Sequence, residues 1–158
     1  MEKLVKLLKQ NARLTNEQLG AMLSITAEEV AAQIEKLEKD GIIYGYTVII
    51  DDEKFSKDSV TALMEIKVTP KSKYGYSDVA RTIARLPEVE SVRLMSGDYD
   101  LAVIVKSTDI REIGRFVAER LSPIDGVLSI STHFVIGRYK ELGAEFNPDD
   151  DERGLVSP

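Results

Sequence analysis

From Val60 onward the spacing of apolar residues switches between two periods in a fixed order, and that order restricts the fold more than any other feature of the chain. Val60, Ala62, Met64, Ile66 and Val68 alternate with Thr61, Glu65 and Lys67, the two-residue period of a half-buried strand. Pro70 ends the pattern. After a loop with Lys71, Ser72, Lys73 and Gly75, the stretch Ser77 to Leu86 places Val79, Ile83 and Leu86 on one helical face, and Pro87 stops it. Val89 to Leu94 and Leu101 to Val105 are two more strand patterns. Asp109 opens a second helix with Ile110, Ile113, Val117 and Leu121 inward, ended by Pro123, Asp125 and Gly126; Val127 to Ile136 is the last strand. The order βαββαβ predicts a ferredoxin-like domain over 60–138, an antiparallel sheet of four strands with both helices on one face. Leu63, Ala102 and Ile104 then fall on the other face, and an apolar open face predicts self-association.

The residues before Val60 follow a different pattern. Residues 2 to 41 read as three helices. Leu4, Leu7 and Leu8, with Val5 beside them, share a face of the first, which ends over Asn11 to Leu14. Thr15 with Gln18, and Thr26 with Glu29, are two capping boxes that start the second and third helices. Leu19, Met22 and Leu23 are the expected core of the second, and Val30, Ile34 and Leu37 that of the third. Ser24-Ile25 makes the tight turn between them, and Gly41 is the C′ glycine. Helix, short helix, tight turn, longer helix is a helix-turn-helix arrangement over 1–43. Ile42 to Ile50 is rich in β-branched and aromatic residues and reads as a strand, with Gly45 marking a bend or close approach. Asp51 to Ser59 is a charged connector, so 44–59 is a strand and linker. Residues 139–158 read as an acidic, extended or disordered tail.

Between the second and third strand patterns of the C-terminal half lies Met95-Ser96-Gly97-Asp98-Tyr99-Asp100. Gly-Asp between two strand runs predicts a hairpin. Two carboxylates and a phenol at the mouth of an apolar sheet could seat a small zwitterion. The alternative is that Gly97-Asp98 only makes the bend and Asp100 accepts backbone N–H bonds.

Composition narrows the chemistry. Cysteine is absent, which removes disulfides, thiolate metal sites and a Cys nucleophile. His133 is the only histidine, so a multi-histidine metal cluster is excluded. With no phosphate-cradling glycine loop and no nucleophile beside a base, no enzyme activity, cofactor or metal is expected. The start of the chain lacks the apolar core of a signal peptide and no apolar run is long enough to span a bilayer, so a cytoplasmic location is expected. The net charge of −6 gives no general attraction to nucleic acid.

Leu37-Glu38-Lys39-Asp40-Gly41-Ile42-Ile43, Gly45-Tyr46 and Gly97-Asp98-Tyr99-Asp100-Leu101, in this order and spacing, resemble the Lrp/AsnC or feast/famine family of transcriptional regulators. The resemblance covers Leu4 to about Ile136. It implies an amino-acid effector bound between subunits at Gly97, Asp98, Tyr99 and Asp100, with Thr132 beside them and Ser131 and His133 as further neighbours. It also implies dimers that assemble into octamers or other higher oligomers, and binding of double-stranded DNA. Backbone N–H groups at a tight turn would hold a carboxylate and an Asp an ammonium group. Thr15, Thr26, Gln33 and Lys36 are the residues assigned to DNA contact.

The third helix departs from the family pattern. Ala32 and Gln33 stand where DNA-binding members commonly carry an Arg pair, Glu28 and Glu29 occupy the first turn, and Glu28, Ala32, Glu35 and Lys39 face outward. Thr26 to Asp40 holds five acids and two lysines. Two functions follow: an amino-acid-responsive regulator that binds DNA, or an effector-binding sensor or partner subunit that does not bind DNA by itself.

Overall fold

The structure is a computed structural model and describes residues 1–56, 58–69 and 75–146. Pro70 as a strand end, the loop residues Lys71, Ser72 and Lys73, and the acidic stretch from Asn147 on lie outside the described residues. The chain divides into two units, Met1–Ile49 and the remainder from Ile50.

The first unit holds three helices, α1 (Glu2–Gln10), α2 (Asn16–Leu23) and α3 (Ala27–Lys39). Both capping boxes form: the Thr15 hydroxyl accepts from Gln18 N and the Gln18 side chain accepts from Thr15 N, and Thr26 and Glu29 repeat this reciprocal pair. Each box satisfies two backbone donors that a helix start leaves open. The turn between α2 and α3 is set by Ser24 at φ 58° and by Ile25 N donating to Gly20 O at 3.0 Å. Gly20 is buried there, because a Cβ would sit 2.7 Å from Ile25 O. α3 ends in a Schellman motif: Gly41 (φ 65°) donates to Glu38 O and Ile42 to Leu37 O, the pattern that only a left-handed C′ residue allows. Leu4, Leu8, Leu19, Val30 and Leu37 form the core of the unit.

Two expectations fail in this unit. Met22 is 59% exposed, because the buried arc of α2 runs through Leu19, Leu23 and Gly20 and leaves Met22 on the far side of Leu19. Residues 42–50 pair with no strand among the described residues. A strand exists only by hydrogen bonding to a neighbour, and β-branched composition does not supply one. Tyr44, Val48 and Ile49 are left exposed, and Gly45 has nothing near the site of a Cβ.

The second unit opens with a short helix, α4 (Asp52–Phe55), and then follows the expected order: β1 (Val60–Val68), α5 (Tyr76–Ala84), β2 (Val89–Leu94), β3 (Leu101–Ser107), α6 (Ile110–Phe116) and β4 (Val127–Phe134). α6 runs on into one π turn, Val117–Leu121. The sheet order is β2-β3-β1-β4, and every ladder is antiparallel. Ala62, Met64, Ile66 and Val68 face Leu101, Val103 and Val105 and, from the helices, Val79, Ile83, Ile113, Phe116 and Leu121.

The opposite face is less bare than its three apolar residues suggest. Leu63 and Ile104 are half-buried and Ala102 is buried, ringed by Glu65, Arg93, Lys106, Ser131 and His133, whose Nε2 lies 3.5 Å from Glu65 Oε2. The start of the expected tail is also ordered. β5 (Lys140–Glu141) and β6 (Ala144–Glu145) form a hairpin whose turn residues Leu142 and Gly143 both have positive φ, 48° and 93°, as a two-residue primed turn requires. Lys140 pairs with Glu145 at 3.0 Å.

Candidate functional site

The turn from Met95 to Asp100 joins β2 to β3, as expected, and its ends are closed by Met95 N donating to Asp100 O at 2.8 Å. Gly97 has φ 147°, a region that side chains disfavour. Ser96, Gly97 and Asp98 are exposed; Tyr99 and Asp100 are half-buried. Asp100 is tied to β1: its N–H donates to Ile66 O at 3.0 Å, and its Oδ2 accepts from Val68 N at 2.8 Å. Val68 lies where the β1–β4 register shifts. A carboxylate there answers an amide that the bulge takes out of the ladder. Of the two readings of Asp100, the backbone-acceptor role is therefore present in the fold.

Thr132 does not join this turn within one chain. It pairs with Met64 on the far side of β1, so its half-buried side chain shares the helix-bearing face. The register puts it two strands across and about three residues along from Asp100, roughly 14 Å away. Its neighbours Ser131 and His133 point to the opposite face. The single chain thus supplies two separate parts, an exposed acidic turn and a strand threonine.

Two clefts occur elsewhere in this unit. One, of about 420 Å³, lies on the open face and is lined by Asp52, Arg93, Ile104, Lys106, Arg138 and Glu141, among others. Arg138 is its hub: Nη1 meets Asp52 at 3.3 Å and Glu141 at 2.9 Å, Nη2 donates to Ile50 O at 2.6 Å, and the guanidinium stacks 4.0 Å from the centroid of Phe146. Lys106 bridges Asp52 and Glu90 at 3.1 and 3.3 Å. Burial alone would pull the Lys106 ammonium down, but the two carboxylates outweigh it and hold its pKa above the ordinary value. The other cleft, of about 520 Å³, runs beside α6 past Glu88, Lys106, Phe116 and Arg120. Neither is lined by Gly97, Asp98, Tyr99, Asp100 or Thr132. Sequence reasoning passed over Arg138 and Asp52. The signals were a lone Arg between Gly137 and Tyr139, and an acid pair directly after an apolar run, where a helix begins. Among the described residues no group of three acids or histidines is placed to hold a metal.

In the first unit the residues assigned to DNA have other duties. Thr15 and Thr26 are the N-caps, and the Thr15 hydroxyl also reaches Glu17. That carboxyl sits below its ordinary range, first through a backbone N–H bond and then through Thr15. Gln33 is half-buried. Lys36 is held by Asp40 at 2.9 Å and Lys39 by Glu35 at 2.6 Å. The hydrogen bond and charge of Lys39 pull the Glu35 carboxyl down. Glu29 is spent in the capping box, whereas Glu28 at the start of α3 makes no hydrogen bond or ion pair with any described residue, and Glu38 accepts from the Tyr46 hydroxyl at 2.9 Å. Partial burial and then Glu38 push that phenol up.

Comparison with known proteins agrees with this division. The Lrp/AsnC ligand binding domain family matches residues 61–144, and a winged helix-turn-helix DNA-binding family matches residues 2–44. YugG of Bacillus subtilis, an uncharacterized HTH-type transcriptional regulator, is 42% identical over 98% of this chain and 95% of its own. An uncharacterized HTH-type regulator of Pyrococcus abyssi, PYRAB04820, is 32% identical over 89% of this chain and 92% of its own. The solved complex of the Neisseria meningitidis regulator NMB0573 with L-Met superposes with a TM-score of 0.70 at 25% identity, covering 88% of this chain and 89% of that one.

Proposed function

This chain belongs to the Lrp/AsnC family of helix-turn-helix transcriptional regulators, and we propose that it is an amino-acid-responsive member that binds DNA as a dimer-based oligomer. It carries a helix-turn-helix DNA-binding domain and a ligand-binding domain; the nature of the effector, its seat and the assembly are the proposal. Gly97, Asp98, Tyr99 and Asp100 of one subunit would meet Thr132 of another. The observation that carries this is the exposed acidic turn: it is fixed by backbone bonds and by Asp100, yet among the described residues neither Thr132 nor either cleft reaches it. A zwitterion would complete such a site only when a second subunit closes it. Binding would then favour the arrangement that joins the two chains. The L-Met complex of the Neisseria regulator supports an amino acid as the class of effector.

The unpaired apolar residues of 42–50 and the open sheet face support self-association into dimers and larger rings. We propose 1–43, 44–59, 60–138 and 139–158 as the functional segments, a cytoplasmic location and no catalytic step. No helix among the described residues is long and apolar enough to cross a membrane.

A second reading, a sensor that does not engage DNA by itself, is favoured by one observation: both lysines of α3 are already paired with acids. A melting-temperature screen of the twenty amino acids on the native assembly tests the effector, since a ligand of the folded state raises the melting temperature by mass action. A gel shift with genomic fragments at about 50 mM salt, a range where phosphate contacts count strongly, tests the DNA. A shift from one amino acid and retardation of DNA support the main reading. No shift from any amino acid overturns the effector, and an intact oligomer that retards nothing leaves the second reading.

A further inference from the structure

We infer that the positive surface of the DNA-binding unit, the one that holds the phosphate backbone of duplex DNA, is the outer face of α1 and the turn after it, and not α3. This rests on the reading that the chain binds DNA. Lys3, Lys6 and Lys9 are exposed on α1 and Arg13 is exposed in the turn that follows. None of the four forms an ion pair with any described residue, whereas both lysines of α3 do. At 3.6 residues per turn, Lys3, Lys6 and Lys9 share an arc of roughly 120°. It lies opposite the buried Leu4 and Leu8. They span about 9 Å along the axis, the length over which one strand of a duplex presents about three phosphates. Arg13 follows in the exposed turn, and its N–H is fixed to Asn11 Oδ1 at 3.0 Å in the segment leading to Thr15.

A solvent-facing helix commonly carries charge opposite its buried stripe; what marks this one is that its stripe is of a single sign. A cation in the last turn, such as Lys9, is favoured by the helix macrodipole, but Lys3 in the first turn works against it. The sign also changes sharply along the unit: residues 1–14 carry four cations and one acid, and Thr26 to Asp40 carries five acids and two lysines. On a chain with net charge −6, a polyanion is drawn to this cationic surface of the helix-turn-helix unit, which has no ion pair with any described residue. α3 would then approach the groove with its lysines already paired to acids, contributing base contacts in place of charge.

The test is a salt titration of the full-length protein on a labelled random-sequence duplex, which reads the electrostatic part of binding. Combining Lys3→Gln, Lys6→Gln and Lys9→Gln should lower the slope of log affinity against log salt by about 0.9 per contact, about 2.7 per bound protomer. Combining Lys3→Arg, Lys6→Arg and Lys9→Arg should leave the slope intact. Arg13→Gln alone should remove about 0.9. Circular dichroism and oligomer mass check the fold, and Lys6→Gln alone, expected to remove about 0.9, replaces the triple variant if that one does not fold. A wild-type protein that binds while the Gln variants keep its slope overturns this assignment and leaves the DNA-binding reading standing. A wild-type protein that fails to bind at low salt removes both.

Discussion

Replacing Asp100 separates its structural duty from its proposed duty toward a ligand. In Asp100→Ala the backbone bonds of residue 100 to Ile66 and Met95 can persist, so one interaction is lost, the Oδ2 acceptor of Val68 N at 2.8 Å. Val68 is 4% exposed, so water does not replace that partner freely. An abandoned buried donor costs about 1–3 kcal/mol. Taking about 2 kcal/mol, and about 4–8 °C per kcal/mol for a unit of roughly 100 residues, the melting temperature should fall by about 8–16 °C. Asp100→Asn keeps an acceptor oxygen but loses the charge-assisted part, about half the strength, and should fall about half as far. Thermal and urea denaturation by circular dichroism give both values. An Ala variant that melts within about 2 °C of wild type, or an Asn variant as unstable as Ala, would refute the assignment of the carboxylate to Val68. Calorimetry on the Asn variant, with the effector found in the melting screen, then reads the ligand role on a protein that is still folded. Unchanged affinity there would remove Asp100 from the proposed site.

The remaining predictions concern the helix-turn-helix unit. Gly20→Ala places a methyl 2.7 Å from Ile25 O, so α2 and α3 must part; a loss of about 1–3 kcal/mol and weaker DNA binding are expected, and a stability equal to wild type would contradict the close approach. Glu28→Arg should steepen the salt dependence of DNA binding by up to about 0.9, because Glu28 is exposed in the first turn of α3; a flat response means that α3 does not face DNA. Glu29→Ser should cost about 1 kcal/mol through the lost half of the capping box, seen as a lower melting temperature whether or not DNA binding changes.

Much of the fold was legible in sequence because its determinants are short-ranged. The capping boxes at Thr15 and Thr26 and the C′ Gly41 join residues a few positions apart, and the alternation from Val60 to Val68 names its buried face without reference to any partner. The β2–β3 turn was legible for the same reason. Where sequence reasoning failed, the deciding contact was absent or its local signal was masked by the surrounding composition. Nothing within 42–50 tells whether another strand lies beside it. The hairpin at 140–145 depended on a Leu-Gly turn hidden in an acidic stretch. Thr132 follows the turn after β3 and α6 in chain order, and the sheet places β1 between the two, a separation that sequence spacing does not reveal.

The sequence alone determined where α2 and α3 start and where α3 stops, the order of the strands from Val60 on and which face of β1 is apolar, because those choices are made by backbone capping and by periodicity within a few residues. Only the tertiary structure decided that the Asp100 carboxylate answers the Val68 amide, and that Arg138 gathers Asp52 and Phe146. These depend on which charges and donors the folded chain brings within about 3 Å, the range of a hydrogen bond, and separation along the chain does not encode that distance.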